Sequence, residues 1–363
     1  MLESLLQHLR RSAPDPVDVD ILQPVDPFLE TAGEEMRRRI FITADNAGQP
    51  LCLRPEFTIP ICLVHTEKNR TGRYAYGGTV FRQQRVGHTE FRQAGLEDLG
   101  RDDRVQVDAH CLSDLFAALH HLKLPKASLV LGDQALFGAV VDDLGLPTAL
   151  ADRLTRAFGK PEIVERIITA LESDTPLAQP STQAEKLAAQ GERKALIAHV
   201  ETLMANASIA PKSGRAPAHI ADRMIARQTE ARFRIDAEHA TMLRGYLSLT
   251  CPLGEAPERL SAFASAHGVN FGNGLDQFIA RIQALNTLNV PMDSMTYRAS
   301  FGRNLDYYSG LLFDAHVGGI NVAGGGRYDH LCTMLGSESP VPAVGFSIQL
   351  DRVMEALEME ANR

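Results

Sequence analysis

Two stretches decide how this chain folds: Phe301-Gly-Arg-Asn-Leu-Asp-Tyr-Tyr-Ser-Gly310 and Val322-Ala-Gly-Gly-Gly-Arg-Tyr-Asp329. The first joins an arginine to paired tyrosines, and the second ends in Arg-Tyr-Asp after a run of glycines. Glycine allows close backbone approach, while guanidinium and phenol groups hydrogen-bond to small polar molecules. The two stretches therefore predict a pocket for a small polar ligand, although a tight turn is the alternative reading of the glycines.

The composition is that of an ordinary globular protein. The chain has 363 residues, of which 44% are hydrophobic and 23% are charged, enough to bury one large core and a smaller unit. It has no apolar run of the roughly 18 residues that a membrane span needs, and its first residues do not have the pattern of a secretion signal. The net charge of −8 argues against a surface that grips nucleic acid, because phosphate binding needs clustered Lys and Arg.

Several kinds of reactive centre are not expected. The five cysteines are scattered without a Cys-x-x-Cys pair, which predicts a reducing cytoplasm rather than a zinc site or a disulfide framework. The histidines have no metal-ligand spacing. Neither a nucleotide-binding glycine loop nor a Gly-x-Ser-x-Gly nucleophile elbow is present. We therefore expect no metal and no cofactor.

Hydrophobic patterning predicts an α+β fold. Strand-like runs lie on either side of an Ala- and Leu-rich helical middle. We expect a mostly antiparallel sheet flanked by helices in residues 1–150 and 251–363, interrupted by a mainly helical insertion at 151–250. The runs Ile40–Thr43 and Leu51–Arg54, joined by turn-forming residues, predict a hairpin.

The first candidate binding residues are Glu56 and Thr58, in Leu53-Arg-Pro-Glu-Phe-Thr58. A carboxylate and a hydroxyl can both accept hydrogen bonds from an α-ammonium group. The alternative is that Glu56 simply lies in the first turn of a helix, where the helix dipole favours a negative charge.

Further candidates lie on the two strand-like runs that follow. Arg82 and Arg85 could clamp a carboxylate or phosphate, or belong to a solvated strand edge. Gln93 and Glu97 are four apart, so on a strand they share a face; surface alternation is the alternative. Arg352, after a strand-like run, could reach into a cleft or be a surface ion partner.

The paired tyrosines allow a prediction about the direction of their side chains. Adjacent residues on a strand face opposite sides of the sheet. If Tyr307 and Tyr308 lie on a strand, one lines the pocket and the other packs.

These motifs follow one another in the order found in histidyl-tRNA synthetases. Leu53-Arg-Pro-Glu-Phe-Thr58 resembles the Leu-Arg-Pro-Glu-Gly-Thr of that family, and Tyr76–Arg82 with Glu90–Glu97 resembles its motif 2. The two stretches quoted first resemble its histidine-specific signatures. Gly345–Arg352 resembles motif 3, and Asp20–Pro27 is a weaker match to motif 1. The resemblance implies a class II synthetase-like antiparallel sheet.

Carried over position by position, the resemblance implies a histidine pocket. Glu56, Thr58 and Gln93 would hold the α-ammonium group. Arg82 and Arg303 would face the carboxylate.

The same resemblance assigns the imidazole end. Glu97 and Tyr308 would hydrogen-bond to the two ring nitrogens, with Tyr307 and Tyr328 shaping the pocket. Polar groups matched to both nitrogens would reject apolar analogues by leaving buried partners unpaired.

Three features depart from the synthetases. Gln84 replaces a motif 2 glutamate that contacts adenine, and Gln349 replaces a motif 3 glycine, so a side chain would crowd the adenine. Only Gly87-His-Thr89 lies between Val86 and Glu90, where the synthetase loop is longer. The sequence ends 11 residues after Arg352, and we expect no anticodon-binding domain.

With these departures the chain resembles the ATP phosphoribosyltransferase regulatory subunits, a family of synthetase paralogues. That resemblance implies a cytoplasmic, non-catalytic subunit of the first step of L-histidine biosynthesis. It implies three partners: a short-form catalytic subunit that it activates, L-histidine as feedback ligand, and a second copy joined through the motif 1 region in a hetero-oligomer. No nucleic acid or membrane is implied.

Two alternatives stay open. One is a truncated synthetase-like enzyme that forms histidyl-adenylate, for which Arg82, Arg303 and Arg352 are suitable residues; Gln84 and Gln349 count against it. The other is a nucleic-acid-binding module, which the net charge of −8 disfavours.

Overall fold

A computed structural model of the chain describes residues 1–31, 33–68, 71–84, 87–173, 181–207, 216–303 and 307–362. The chain divides into two units, each with its own internal contacts. The first consists of Met1–Val140 and Gly245–Arg363, and the second is Val141–Arg244.

The first unit contains a small sheet and a large one. Strands β1 (Leu22–Pro24), β2 (Ile42–Ala44) and β3 (Pro50–Leu53) form the small antiparallel sheet in the order β1-β3-β2. The pairing of β2 with β3 confirms the hairpin that the turn-forming residues between them predict.

The large sheet has eight strands among the described residues. In spatial order they are β4 (Gly72–Phe81), β5 (Glu90–Leu99), β11 (Ala343–Gln349), β10 (Ile320–Arg327), β9 (Leu311–Val317), β6 (Ser128–Asp133), β8 (Met295–Arg298) and β7 (Thr250–Pro252). Neighbours pair antiparallel except β6 and β8, which pair parallel. The prediction of a mostly antiparallel sheet in an α+β fold is confirmed.

Helices surround this sheet in the first unit. They are α1 (Leu2–Leu9), α2 (Asp26–Thr31), α3 (Gly33–Arg37), α4 (Thr58–Lys68), α5 (Arg104–His121), α6 (Gln134–Asp143), α12 (Ala237–Ser248), α13 (Ala256–His267), α14 (Asn273–Thr287), α15 (Leu331–Met334) and α16 (Leu350–Ala361). The boundaries between the two units fall within α6 and α12. No helix in the described part of the chain is both long enough and apolar enough to cross a membrane.

The second unit is helical in its described residues. It contains α7 (Thr148–Arg156), α8 (Pro161–Glu172), α9 (Gln183–Gln190), α10 (Arg193–Asn206) and α11 (Pro217–Arg232). A capping box starts α9, where Thr182 and Glu185 satisfy each other's backbone N–H groups. Its small core includes Leu187, Leu196 and Val200.

The two faces of the large sheet differ in chemistry. Side chains alternate between faces along each strand. One face carries buried Leu96, Phe346 and Phe313, which the strand register aligns across β5, β11 and β9, and α5 and α1 pack there. The register gives the opposite face a run of glycines instead: Gly78, Gly95, Gly324, Gly326 and Gly345. These five residues form a glycine floor that leaves room above the sheet.

A buried cluster of charges fastens the helices to the sheet. Asp108 on α5 accepts from Nε of Arg281 on α14 at 2.8 Å and from Nη2 of Arg327 on β10 at 2.6 Å. The two arginines also reach Asp133 at 2.9 Å and Asp329 at 2.7 Å, respectively. All five side chains are buried. Buried charges are stable in a protein only when they are paired in this way.

We predict that Asp108→Asn lowers the free energy of unfolding by about 3–5 kcal/mol, because it leaves two buried guanidinium groups short of one negative charge. Asparagine keeps the shape of aspartate, so the loss reports charge rather than packing. Urea unfolding followed by circular dichroism measures it.

The matched control is Asp351→Asn, which breaks an exposed pair with Arg92 at 3.0 Å. Exposed pairs contribute about 0–1 kcal/mol, so this variant should unfold close to the wild type. Equal effects of the two variants would contradict the assignment of Asp108 as the central charge of the cluster.

Candidate functional site

Glu56 lies just before α4. Its carboxylate accepts from the backbone N–H groups of Thr58 at 2.7 Å and Ile59 at 2.8 Å, satisfying two donors at the helix start. Burial raises the pKa of Glu56, and the two backbone hydrogen bonds oppose that shift. Glu56 is therefore at a helix entry, as the structural alternative expects, but before the first turn of α4 rather than within it. The carboxylate oxygens keep further lone pairs, so a role toward an ammonium group stays a prediction.

Glu97 lies on β5 above the glycine floor and is 1% exposed. Its Oε1 accepts from the Thr58 hydroxyl at 2.7 Å, and its Oε2 accepts from the Tyr328 hydroxyl. Burial raises the pKa of Glu97 to about 8, while the hydrogen bonds from Tyr328 and Thr58 act in the opposite direction. At neutral pH the side chain is therefore largely a neutral acid, able both to donate and to accept a hydrogen bond.

A cluster of tyrosine rings stands beside Glu97. The ring centroids of Tyr307 and Tyr308 are 5.0 Å apart, and those of Tyr307 and Tyr328 are 5.9 Å apart. Tyr307 lies in a turn, and Tyr308 follows this turn. Neither residue lies on a strand, and both are buried. The expectation that one of the pair would pack on the far side of a sheet is wrong, because the chain turns there and the two rings meet.

Arg303 is held against the floor of the site. Its Nη1 donates to Asp314 Oδ1 at 2.5 Å and to the Phe313 carbonyl at 3.0 Å. Burial opposes its charge, but nearby tyrosine and aspartate groups outweigh burial and raise the pKa of Arg303. A Cβ atom at Gly324 would overlap this guanidinium group. The glycine run lies inside β10 and permits this close approach, so the tight-turn alternative is wrong.

Arg82 follows β4 and is half-buried. Its Nε donates to the Pro55 carbonyl at 2.7 Å, and its guanidinium lies 5.1 Å from the centroid of the Phe91 ring. Burial lowers the pKa of Arg82 to about 10, and the charge of Glu56 opposes this. Arg82 follows the edge strand of the large sheet, and these protein contacts hold its guanidinium group in place. Arg85, the second arginine of this motif, lies outside the described residues.

Gln93 shares the site face of β5 with Glu97, as the four-residue spacing predicts. It is only 3% exposed, so surface alternation does not explain either residue. The register places Gln93 directly opposite Gly78 on β4 and Gln349 on β11. Its amide makes no hydrogen bond with any residue that the structure describes. The side-chain amide has both donors and an acceptor, so Gln93 is available to a ligand.

The positions that depart from the synthetases lie at the margin of the site. Gln84 is exposed beyond the end of β4, and Gln349 is half-buried at the end of β11, on the same side as Gln93. Arg352 is exposed on α16, which favours its surface alternative over a role inside a cleft.

The sequence reasoning missed two residues of this site. The Tyr76 hydroxyl donates to the Phe346 carbonyl at 3.1 Å, and the register places Tyr76 opposite Gly95, between the positions of Gln93 and Glu97. Asp314 is the partner of Arg303. An aspartate within the apolar run Leu311-Leu-Phe-Asp-Ala-His-Val317 is a visible signal, since a charge on a buried strand needs a partner.

Comparisons with known proteins define the class. A sequence model of the histidyl-tRNA synthetase family matches residues 1–246 and 196–353. The fold is similar to that of an ATP phosphoribosyltransferase regulatory subunit/histidyl-tRNA synthetase from Bacillus halodurans, with a TM-score of 0.67 and 19% identity, covering 98% of this chain and 77% of that one. A histidyl-tRNA synthetase from Nostoc sp. gives a TM-score of 0.65 at 14% identity, covering 99% and 71%. The protein thus has a class II, histidyl-tRNA synthetase-like fold.

More similar sequences identify the family within that class. ATP phosphoribosyltransferase regulatory subunits from Allorhizobium ampelinum and Chelativorans sp. are 46% and 45% identical to this chain. Each match covers 93% of this chain, and 92% and 91% of the two relatives. The chain belongs to the family of ATP phosphoribosyltransferase regulatory subunits. The predicted resemblance is confirmed, and the family's name describes a regulatory subunit rather than a catalytic one.

We predict that Glu97→Gln makes the protein less sensitive to alkaline pH. Burial raises the folded-state pKa of Glu97 from 4.5 to about 8, so between these values the folded protein binds more protons than the unfolded chain. The free energy of unfolding therefore falls as the pH rises through this window. Each pKa unit corresponds to about 1.4 kcal/mol, which makes the expected loss a few kcal/mol.

Melting temperatures of the two proteins at a series of pH values from 5 to 9 provide the measurement. The melting temperature of Glu97→Gln should rise relative to that of the wild type as the pH rises. Glu258→Gln, at an exposed position on α13, is the control and should follow the wild type. Parallel curves for wild type and Glu97→Gln would show that this carboxyl group does not ionise in the window.

Proposed function

We propose that this chain is a cytoplasmic histidine sensor that activates a short-form ATP phosphoribosyltransferase catalytic subunit and transmits histidine feedback to it. One observation carries the proposal: polar side chains converge on the glycine floor without partners in the described structure. The Gln93 amide and the hydroxyls of Tyr307 and Tyr308 make no hydrogen bond with a described residue. Amide and hydroxyl groups in a pocket normally hydrogen-bond to protein, water or ligand, and a polar ligand would supply such a partner.

The imidazole ring of histidine fits the deep end of this pocket. A neutral imidazole has one nitrogen that donates and one that accepts. Glu97, with its carboxyl group beside Tyr328, can take one nitrogen, and the free hydroxyl of Tyr308 can take the other. Tyr307 and Tyr328 shape the walls around the ring.

The α-carbon end of histidine fits the remaining candidates. Glu56, Thr58 and Gln93 offer oxygen acceptors for the ammonium group. Arg82 and Arg303 offer guanidinium groups for the carboxylate. Both arginines have strong protein partners, which hold them in place for a ligand and limit the rotamer freedom that binding would otherwise remove.

Regulation would follow from linkage. If histidine binds one arrangement of the complex more tightly than another, it shifts the complex toward that arrangement, and the activity of the catalytic subunit changes with it. The chain would contribute no catalytic residue, metal or cofactor of its own, and would bind no nucleic acid or membrane.

We also propose that the chain is a homodimer within the hetero-oligomer. The small sheet and the residue preceding it expose large apolar side chains: Ile21 is 47%, Leu22 50% and Ile42 61% exposed. The register puts Leu22 and Ile42 on opposite faces of the small sheet, and Ile21 and Leu22 belong to the motif 1 region, through which the family resemblance expects the second copy to bind.

We predict that Gln93→Leu weakens histidine inhibition of the assembled enzyme by roughly 5- to 150-fold, because losing a buried hydrogen-bond partner costs about 1–3 kcal/mol. Leucine has a similar size, and the uninhibited activity should change little. The measurement is the inhibition curve of the complex, made together with the melting temperature of the same sample.

The matched control is Gln84→Leu, the same substitution at an exposed position, which should leave the curve unchanged. A normal inhibition curve for well-folded Gln93→Leu would remove Gln93 from the histidine pocket. Normal curves for Glu97→Gln and Tyr308→Phe as well would remove the pocket itself.

We predict that Ile42→Asp converts the isolated chain from a dimer to a monomer at micromolar concentration, because a buried, unpaired carboxylate is costly in an apolar interface. Light scattering gives the mass directly. Ile163→Asp, at another exposed isoleucine of 36% exposure on α8, should remain dimeric. A monomeric wild type would reject the proposed interface.

A further inference from the structure

A cavity of about 220 Å³ lies in the first unit, away from the proposed histidine pocket. The start of α5, the first turns of α6 and α14, and the segment Ser309–Gly310 form its walls. None of the side chains assigned to histidine lines it. Arg327 lines the cavity. The register pairs Arg327 with Val344, whereas the neighbouring Gly345 is paired with Glu97. Arg327 therefore points to the helix-covered face of the sheet, opposite to Glu97.

Two arginines bring unused hydrogen-bond donors to this cavity. Arg281 is 5% exposed, and its Nε and Nη1 donate to Asp108 and Asp133. Its Nη2 has no acceptor in the part of the chain that the structure describes. Arg104 lies nearer to solvent, and among the described residues its guanidinium group pairs only through Nε, 3.1 Å from Asp329. Guanidinium groups therefore offer at least three nitrogens to a ligand.

The acceptors around the cavity are already occupied. Asp133 accepts through one oxygen from the backbone N–H of Ala135 at 3.0 Å and through the other from Arg281 at 2.9 Å. Asp329 accepts from Arg327 at 2.7 Å, besides its contact with Arg104. The cavity thus has unused hydrogen-bond donors but few unused acceptors, which favours a ligand that is rich in acceptors.

We propose that this cavity binds a phosphate group, held by the free Nη2 of Arg281 and the η nitrogens of Arg104. A phosphate carries several strong acceptor oxygens, and guanidinium groups match its geometry. The three arginines and three aspartates of the surrounding cluster balance in charge, so hydrogen-bond donors rather than net charge select the ligand.

The size of the cavity fits this ligand. A water molecule occupies about 30 Å³, so the space corresponds to roughly seven waters. A phosphate group with part of its hydration fills it. The bound group is either a free phosphate ion or the terminal phosphate of a small metabolite. In the second case the rest of the metabolite extends through the opening of the cavity.

Ser309 connects this cavity to the tyrosine cluster. Its backbone N–H donates to the Arg327 carbonyl at 2.8 Å, and its hydroxyl accepts from the Asp329 backbone N–H at 3.0 Å. Tyr308 is the preceding residue. A bound phosphate thus lies against the segment that ends the tyrosine turn, which gives it a physical route to the opposite face of the sheet. The phosphate site itself does not depend on the histidine proposal.

Titration calorimetry of the full chain with inorganic phosphate and with glycerol 3-phosphate, at constant ionic strength in chloride, tests the site. Two variants address it. Arg104→Ala removes donors at a half-exposed position. Ala135→Leu fills the space from an exposed position on α6 without changing any charge. The control is Arg101→Ala, which removes a nearby arginine that pairs with Asp98 at 2.5 Å and does not line the cavity.

We expect saturable binding of one phosphate per chain in the wild type and in Arg101→Ala. Arg104→Ala should weaken it at least about tenfold, and Ala135→Leu should weaken it comparably, with melting temperatures near that of the wild type. Tighter binding of glycerol 3-phosphate identifies a phosphorylated metabolite as the source, and tighter binding of the free ion identifies phosphate. Absence of saturable binding at millimolar concentration, or unchanged affinity in both cavity variants, overturns the proposal.

Discussion

The architecture depends on one buried carboxylate. Asp108 stands between Arg281 and Arg327 and accepts from both, so that α5, α14 and β10 share a single electrostatic centre. Because β10 leads directly into Tyr328, whose hydroxyl donates to Glu97, the position of this centre also determines where the tyrosine meets the glutamate. A charge cluster on one side of the sheet thereby sets the geometry of a polar pocket on the other side.

The large sheet packs against helices on one face and lines a polar pocket on the other, because its two faces differ in chemistry. Large apolar side chains on one face supply the hydrophobic contacts that hold α1 and α5. Glycines on the other face contribute no side chain, and the tyrosines, arginines and carboxyls above them come mostly from neighbouring loops and strand ends. Desolvation in this setting has a chemical effect, since it raises the pKa of Glu97 to about 8 and so gives a carboxyl group the ability to donate a hydrogen bond near neutral pH.

The sequence alone predicts those parts of the fold that depend on local patterns. Turn-forming residues predicted the hairpin of β2 and β3, and the four-residue spacing placed Gln93 and Glu97 on one face. The pair Asp108 and Arg281 could not be predicted, because 173 residues separate them and no local pattern encodes the contact. The tyrosine pair was misjudged for a related reason: alternation applies only on a strand, and Tyr307 lies in a turn. Glu56 shows the limit of motif reading, since its residue type suits a ligand and its observed contacts are those of a helix start.

The glycine floor also bears on how such a site is lost during evolution. At Gly345 a Cβ atom would overlap the carboxyl group of Glu97, and at Gly324 it would overlap the guanidinium of Arg303. A single base change in a glycine codon is enough to add that atom. The hydrophobic core on the far face would keep its own residues through such a change. One mutational step on this face could therefore displace Glu97 or Arg303 and leave the fold intact, so the chemistry of the site can change faster than the architecture that supports it.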